Sequence, residues 1–428
     1  MINPPAGSKK ERIDRTNFDS WLATASSCRN LVFQVLDLRS HDDQMAALVH
    51  ASSMEDGCVY LGCELGPRLA DAAARHHSLI FPDLPGRPFK PFRHELYTPE
   101  ELFAGLDHEH PQSYYETPDW RSYLSYLEVD EEHKPLRPTR YVDVGPDEIL
   151  ARRLHDHFIE DALGTYLKDV KQSAKQHGVV AIMGGHDHPR SDAVYSEIAH
   201  LARKLSRDGY LVVSGGGPGL MEAANLGAYF AAWDDCTILD RAINRLKAAD
   251  LYSDPHWLTL AWEVKADHPT PDPVVSESLG IPTWFYGHEP PNVFSSRIAK
   301  YFENSLREEG LLAIATHGVI FAQGNAGTTQ EIFQDACQNY YATYGFRSPM
   351  ILFGADFWEQ MPAPDGTYPN LAKPAWQLLR VLARQKGFEE LITLTSDPDI
   401  VLKAIRSFRP PAEFSSSAET AATRPADH

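Results

Sequence analysis

Two glycine-rich segments hold the residues whose types and spacing could do chemistry. The first reads Ser214-Gly-Gly-Gly-Pro-Gly-Leu-Met-Glu222 and the second Gln323-Gly-Asn-Ala-Gly-Thr-Thr-Gln-Glu331. Each follows an apolar run with strand character and precedes a helical pattern. At a strand-to-helix turn, bare glycines let backbone N–H groups approach an anion closely, and the helix dipole favours negative charge there. The chemistry implied is capture of a small phosphorylated ligand, with Gly215, Gly216 and Gly217 on one side and Gly324, Gly327 and Thr328 on the other. Met221 and Glu222 begin the helix after the first turn and border the same place.

Each of these residues also has a purely structural reading. A run of glycines can serve strand–helix packing alone, although consecutive bare residues expose several N–H groups together. Glu222 is either a site carboxylate or a favourable partner for the helix dipole. Thr328-Thr-Gln-Glu331 has the spacing of a capping box, with Thr328 at the N-cap and Glu331 at N3, so capping and catalysis are both open to Glu331. A third turn, Gly184-Gly-His-Asp-His-Pro-Arg-Ser-Asp192, offers Gly184, Gly185 and the planar fork of Arg190 as phosphate ligands. Phe294-Ser-Ser-Arg-Ile-Ala-Lys-Tyr-Phe302 reads as the opening of a helix, with Arg297 and Lys300 on one face. The pairs His155/His157 and His186/His188 read as solvated side chains rather than metal ligands. No metal site is expected.

Two common phosphate-binding signatures are absent. Gly215 to Gly219 lacks the Gly-x-Gly-x-x-Gly spacing of a dinucleotide fold, and no Gly-Lys-Ser/Thr follows any glycine turn. Composition narrows the partners further. Forty basic against fifty-nine acidic residues in a chain of 428 give a net charge of -19, which disfavours a general nucleic-acid or anionic-membrane surface. The five cysteines are scattered without a Cys-x-x-Cys pair, as in a reduced, cytoplasmic setting. The N-terminal sequence has no apolar core of a signal peptide, and no apolar run reaches the ~18 residues of a membrane span.

The elements that must position these residues follow from periodicity. Residues 1–16 and 407–428 are polar and aperiodic and read as disordered tails. Between 17 and 145 lies a small α/β unit, with strands at Leu31 to Leu38, Cys58 to Leu65 and Ser78 to Phe81 and helices at Asp43 to His50 and Pro67 to His76. An irregular, aromatic-rich connection follows it; so many aromatics, Tyr114, Tyr115, Trp120, Tyr123 and Tyr126 among them, argue for packing. A connecting helix is expected over 146–177. From 178 to 406, apolar strands beginning with Val179-Val-Ala-Ile-Met183 alternate with helices, and further strands are expected at Tyr210 to Ser214, Thr283 to Tyr286, Val319 to Ala322 and Met350 to Phe353. That pattern is a parallel sheet with helices on both faces, whose ligands bind at the carboxyl ends of the strands. The long stretch Asp234 to Pro282 suits either a lid or a dimer contact.

Together the two turns resemble the Lonely guy (LOG) family, whose members are often mislabelled lysine decarboxylases and whose signature is Pro-Gly-Gly-x-Gly-Thr-x-x-Glu. The resemblance runs from about Gly178 to Arg406 and includes Lys386-Gly-Phe-Glu-Glu390; the long N-terminal extension is similar to that of the larger bacterial nucleotide 5′-monophosphate nucleosidases. It implies a Rossmann-like domain, usually homodimeric or of higher order, that hydrolyses a nucleoside 5′-monophosphate to free base and ribose 5-phosphate without a cofactor. The family's catalytic glutamate then falls on Glu331 and its catalytic arginine, from a helix before the signature, on Arg297. The signature's proline is Gln323 here and its second glycine is Asn325. A non-catalytic carrier or sensor of a phosphorylated nucleotide or pterin is the alternative use of the same crevice. A pyridoxal-dependent decarboxylase has no support, since nothing marks a Schiff-base lysine with its partners.

Overall fold

The computed structural model describes residues 11–53, 57–125, 127–130, 135–138, 144–173, 175, 177–285, 289–361 and 372–411. The expected tails at 1–10 and 412–428, and Tyr126 and Tyr286, lie outside these residues. Two units form, one of Met1–Arg93 with Val144–Phe158 and one of His94–Asp143 with Ile159–His428. The helix Pro146–Lys171 contributes to both.

In the smaller unit four parallel strands pair in chain order: β1 (Glu11–Ile13), β2 (Leu31–Gln34), β3 (Val59–Leu61) and β4 (Leu79–Phe81). The helices Asp42–His50 and Pro67–Arg75 connect them as the apolar periodicity requires. Asp42 accepts hydrogen bonds from the backbone N–H groups of Arg68 and Leu69, tying the start of one helix to the other. Residues 11–16, read from sequence as part of a disordered tail, are ordered. Ile13 is fully buried, Glu11 to Ile13 pairs with Leu31 to Phe33, and the side chains of Asp14 and Asn17 close the turn that follows. Three residues are too few for periodicity to register.

The larger unit contains a short antiparallel pair, β5 (Leu127–Val129) with β6 (Pro135–Pro138), and a seven-stranded parallel sheet. The sheet's strands are β7 (Gly178–Met183), β8 (Tyr210–Ser214), β9 (Ser278–Gly280), β10 (Arg297–Ile298), β11 (Val319–Phe321), β12 (Met350–Phe353) and β13 (Ile392–Thr395), in the order β10-β9-β8-β7-β11-β12-β13. Val180 to Ile182, Leu211 to Val213, Val319 to Phe321 and Met350 to Leu352 are all fully buried, because helices cover both faces of the sheet. The architecture is a Rossmann-like α/β sheet. Strands are added outward from β7 in one direction as far as β10, and β11 then returns to β7's other side. The carboxyl ends of β7 and β11 therefore flank a topological switch point, where sheets of this kind open a crevice for ligands.

Two expectations in this sheet fail. The strand after β8 is Ser278–Gly280 rather than Thr283 to Tyr286, and Thr283 makes only an isolated bridge with Tyr301. Ser-Leu-Gly has no apolar run to announce it; the side chains of Asn225 and Ser296 complete its polar contacts. Phe294 to Phe302 is not helical: Arg297 and Ile298 form β10, flanked by turn, bend and irregular chain. Its backbone hydrogen bonds run to the neighbouring segment, from Ala299 N to Gly280 O and from Tyr301 N to Pro282 O, so sheet pairing overrides the apparent helical spacing.

From His94 onward the aromatic-rich connection belongs to the larger unit. Asp119 is fully buried and accepts from Lys300 Nζ (2.6 Å), Trp284 Nε1 (2.9 Å) and Tyr114 Oη (2.8 Å). Tyr97 exchanges two backbone hydrogen bonds with Ile298, fixing the stretch to edge strand β10.

Candidate functional site

Three glycine turns converge at the switch point. Gly184 and Gly185 continue β7, and Gly185 N donates to Gln323 O beyond the end of β11 (2.9 Å). A Cβ on Gly324 would come within 3.1 Å of Gly185 N and would collide with Thr328 Oγ1, so the two turns meet closely. The turn after β8 leans on the same place: Leu220 N donates to Gly185 O (3.0 Å), and a Cβ on Gly219, at φ +64°, would strike that oxygen. Gly216, at φ +74°, has no room for a Cβ against Pro282 and Ile281. Beneath the turn, Ser214 Oγ accepts from Gly216 N and donates to Asn225 Oδ1, while Asn292 Nδ2 donates to Asn225 Oδ1 and Gly217 O. Asn225 and Asn292 are fully buried and hold the turn's shape; nothing in the sequence marks them as partners.

Glu331 sits at the centre of this arrangement with 5% of its surface exposed. The guanidinium that reaches it belongs to Arg307, on the helix Asn304–Ile314: Nη1 donates to Glu331 Oε1 (3.0 Å) and Nε to Ile281 O (2.9 Å). Arg307 lies over Gly215, where an added Cβ would collide with its Nη2 and, at 2.5 Å, with Met221 Sδ. Burial pushes the Glu331 carboxyl up to about 7; Arg307 opposes the shift, and the nearby carboxylates of Glu308 and Glu289 add to it. The capping-box reading is corrected. The helix begins at Ala326, Asn325 holds the position before it, and Glu331 lies in the second turn with its carboxylate on Arg307.

The start of that helix is an anion-ready surface. The N–H groups of Ala326, Gly327 and Thr328 have no acceptor within the helix, because the residues four earlier precede it. Gly327 is exposed and nothing lies within 4 Å of where its Cβ would be. Asn325, standing where the signature has glycine, donates to Asp187 Oδ2 (2.8 Å) and accepts from Lys373 Nζ (3.1 Å). Lys373 thereby brings a cation beside the helix start, which no sequence spacing indicated.

Four residues read from sequence as site ligands are committed elsewhere. Arg297 is on β10, exposed, with Nη1 on its neighbour's carbonyl at Ser296 and its charge beside Glu277; the helix before the signature is Asn304–Ile314, and it carries Arg307. Lys300 is buried on Asp119 over the Trp284 ring. Arg190 is buried with Nε and Nη2 on the two Glu222 oxygens (2.9 and 2.6 Å), Nη1 on Ala249 O and Nη2 also on Trp257 O. Its fork is fully engaged by the protein. Glu222 accepts from Tyr195 Oη as well (2.9 Å), so it closes a buried polar cluster with no exposed surface of its own. The histidines pair locally, His186 with Glu289, His188 with Asp192 and His155 with Asp156, and among the described residues no group of three or more His, Cys, Asp or Glu is arranged to hold a metal ion. Among them too, no helix is long and apolar enough to cross a membrane.

No family model and no curated protein matches the chain. Solved structures do. The molybdenum cofactor binding protein of Rippkaea orientalis is 13% identical, over 54% of this chain and 96% of that one, with a TM-score of 0.31. The molybdenum cofactor carrier protein of Chlamydomonas reinhardtii is 12% identical over 54% and 96%, with a TM-score of 0.29. At these values the likeness bears on no residue of the site.

Proposed function

We propose that the crevice binds a nucleoside 5′-monophosphate and hydrolyses its N-glycosidic bond, releasing free base and ribose 5-phosphate. The observation that carries this reading is the buried Glu331–Arg307 pair set between an open helix start and a glycine turn. The phosphate would lie on the N–H groups of Ala326 to Thr328, near Lys373. Anchoring it there supplies positioning energy remote from the reacting bond. Breaking a ribosyl C–N bond passes through an oxocarbenium-like state, which a carboxylate at the ribose stabilises while orienting or deprotonating water. Glu331 suits that task. Arg307 keeps a share of it ionised near neutral pH against the pull of burial.

Incubation of the full chain with a panel of nucleoside 5′-monophosphates, watching for free base, tests the reading. Release that requires the 5′-phosphate supports it. Tight binding of a nucleotide without base release would instead favour the carrier or sensor, and equal rates for AMP and adenosine would remove the phosphate from the argument.

A further inference from the structure

Beside the crevice lies a cavity of about 380 Å³, within the range of small-molecule sites. Tyr114, Tyr115 and Trp120 from the aromatic-rich connection wall it, as do Tyr252 and Trp257 from the stretch between β8 and β9. The Tyr115 and Trp120 rings meet at 70° with centroids 4.8 Å apart, and Tyr114 meets Trp120 at 65° and 5.8 Å. These edge-to-face contacts lock the three rings together as one aromatic wall of the slot.

The two buried ion pairs that the phosphate does not use brace these walls. Asp119, paired with Lys300, accepts from the hydroxyl of Tyr114. Arg190, paired with Glu222, donates to the backbone of Trp257 and stacks 4.8 Å from its ring. Both aromatic walls are therefore held from behind by charge-assisted contacts. A shared partition joins slot and crevice. The Tyr252 ring packs on His186 (5.7 Å, 72°), His186 Nδ1 is 3.3 Å from Glu289 Oε1, and the following residue, Pro290, lines the cavity. The other Glu289 oxygen faces Gly217, 3.2 Å from its Cβ position.

We propose that this slot is the base subsite: it stacks the planar heteroaromatic ring of the nucleotide whose phosphate lies at the helix start. The assignment rests on the reading of the crevice given above. Aromatic side chains hold nucleobases by their π-faces with little demand on base identity, so the slot would accept more than one base.

The carbocyclic analogue of AMP, which cannot form an oxocarbenium ion, serves as a binding probe without turnover. Tyr115→Ala removes a wall residue that is 57% exposed, so its thermal melt should match the parent's. We expect the variant to bind the carbocyclic nucleotide about ten-fold or more weakly and ribose 5-phosphate as the parent does. In the parent, tryptophan fluorescence should respond to the nucleotide and not to ribose 5-phosphate, and Trp120→Phe should diminish the response. Unchanged nucleotide affinity in Tyr115→Ala overturns the subsite. Should neither phosphorylated compound bind, the reading of the crevice falls; adenosine then decides the slot alone, a Tyr115-dependent fluorescence change supporting ring binding and no change overturning it.

Discussion

Arg307 crosses the bare backbone of Gly215 to donate to Glu331, Nη1 to Oε1 at 3.0 Å. The glycine turn thus has a second use besides exposing N–H groups, because its missing side chain is the seat of a guanidinium. Three elements meet in that contact: the turn after β8, the helix before β11 and the helix after it. None of the three would hold the pair without the others.

Replacing Arg307 with alanine should lower kcat/KM for base release by at least about 100-fold, as loss of an electrostatic stabiliser of the reacting centre does. Arg297→Ala should stay within about two-fold of the parent, since exposed changes away from a site cost little. Steady-state rates on AMP for both variants check this, and a large loss in Arg297→Ala with none in Arg307→Ala would return the role to β10.

The Glu331 carboxyl, raised by burial to about 7, sets opposite pH trends for activity and stability. If its ionised form serves the reaction, kcat/KM should rise through about pH 7 and then level. Stability moves the other way: the raised folded value means that the contribution is full below the ordinary value of 4.5 and is lost as pH rises through about 7. Rate and melting profiles of the parent against Glu331→Gln test both trends. The variant should lose most of its turnover and this share of the pH dependence of melting.

Gly327 has no packing reason to be glycine. Alanine there should raise stability by roughly 0.5–1 kcal/mol, as in any exposed helical turn. The same methyl would stand over the donors of the helix start, so phosphate binding should weaken. A denaturation curve together with a ribose 5-phosphate titration reads both effects, and a variant that is more stable and binds equally well would show that the helix start is not the cradle.

The cysteines should divide by burial. Cys236 and Cys337 are exposed, whereas Cys28, Cys58 and Cys63 are buried, and burial pushes the Cys63 thiol up to about 11. Two thiols should react quickly with an aromatic disulfide reagent in the native protein and five after denaturation. Fast titration of a third would show that the smaller unit opens readily.

Much of this was legible because it is local. Val179 to Met183 and Val319 to Phe321 are runs of buried apolar side chains, and glycines after such runs announce the turns. What sequence hid is held by distant partners. Arg190 has the position of a phosphate ligand in its loop, and only the fold brings Glu222 to it from 32 residues away. Arg307 lies in an unremarkable Leu-Arg-Glu-Glu stretch, and the fold alone sets it over Gly215. The false helix at Phe294 to Phe302 concealed it further, by offering a different arginine at helical spacing.

The two turns also differ in how freely descendants of this chain could change them. Gly219 is held by a backbone angle of +64° and by the Gly185 carbonyl, which a Cβ would strike. A substitution there must first move the floor of the crevice. Asn325 is exposed; its side chain reaches only Asp187 and Lys373, and its carbonyl, which accepts from Thr329 N and Oγ1, would be kept by any residue placed there. Divergence is channelled to Asn325 alone, because Gly324 beside it is as crowded as Gly219, so a lineage could exchange that one side chain while inheriting the backbone of both turns unaltered.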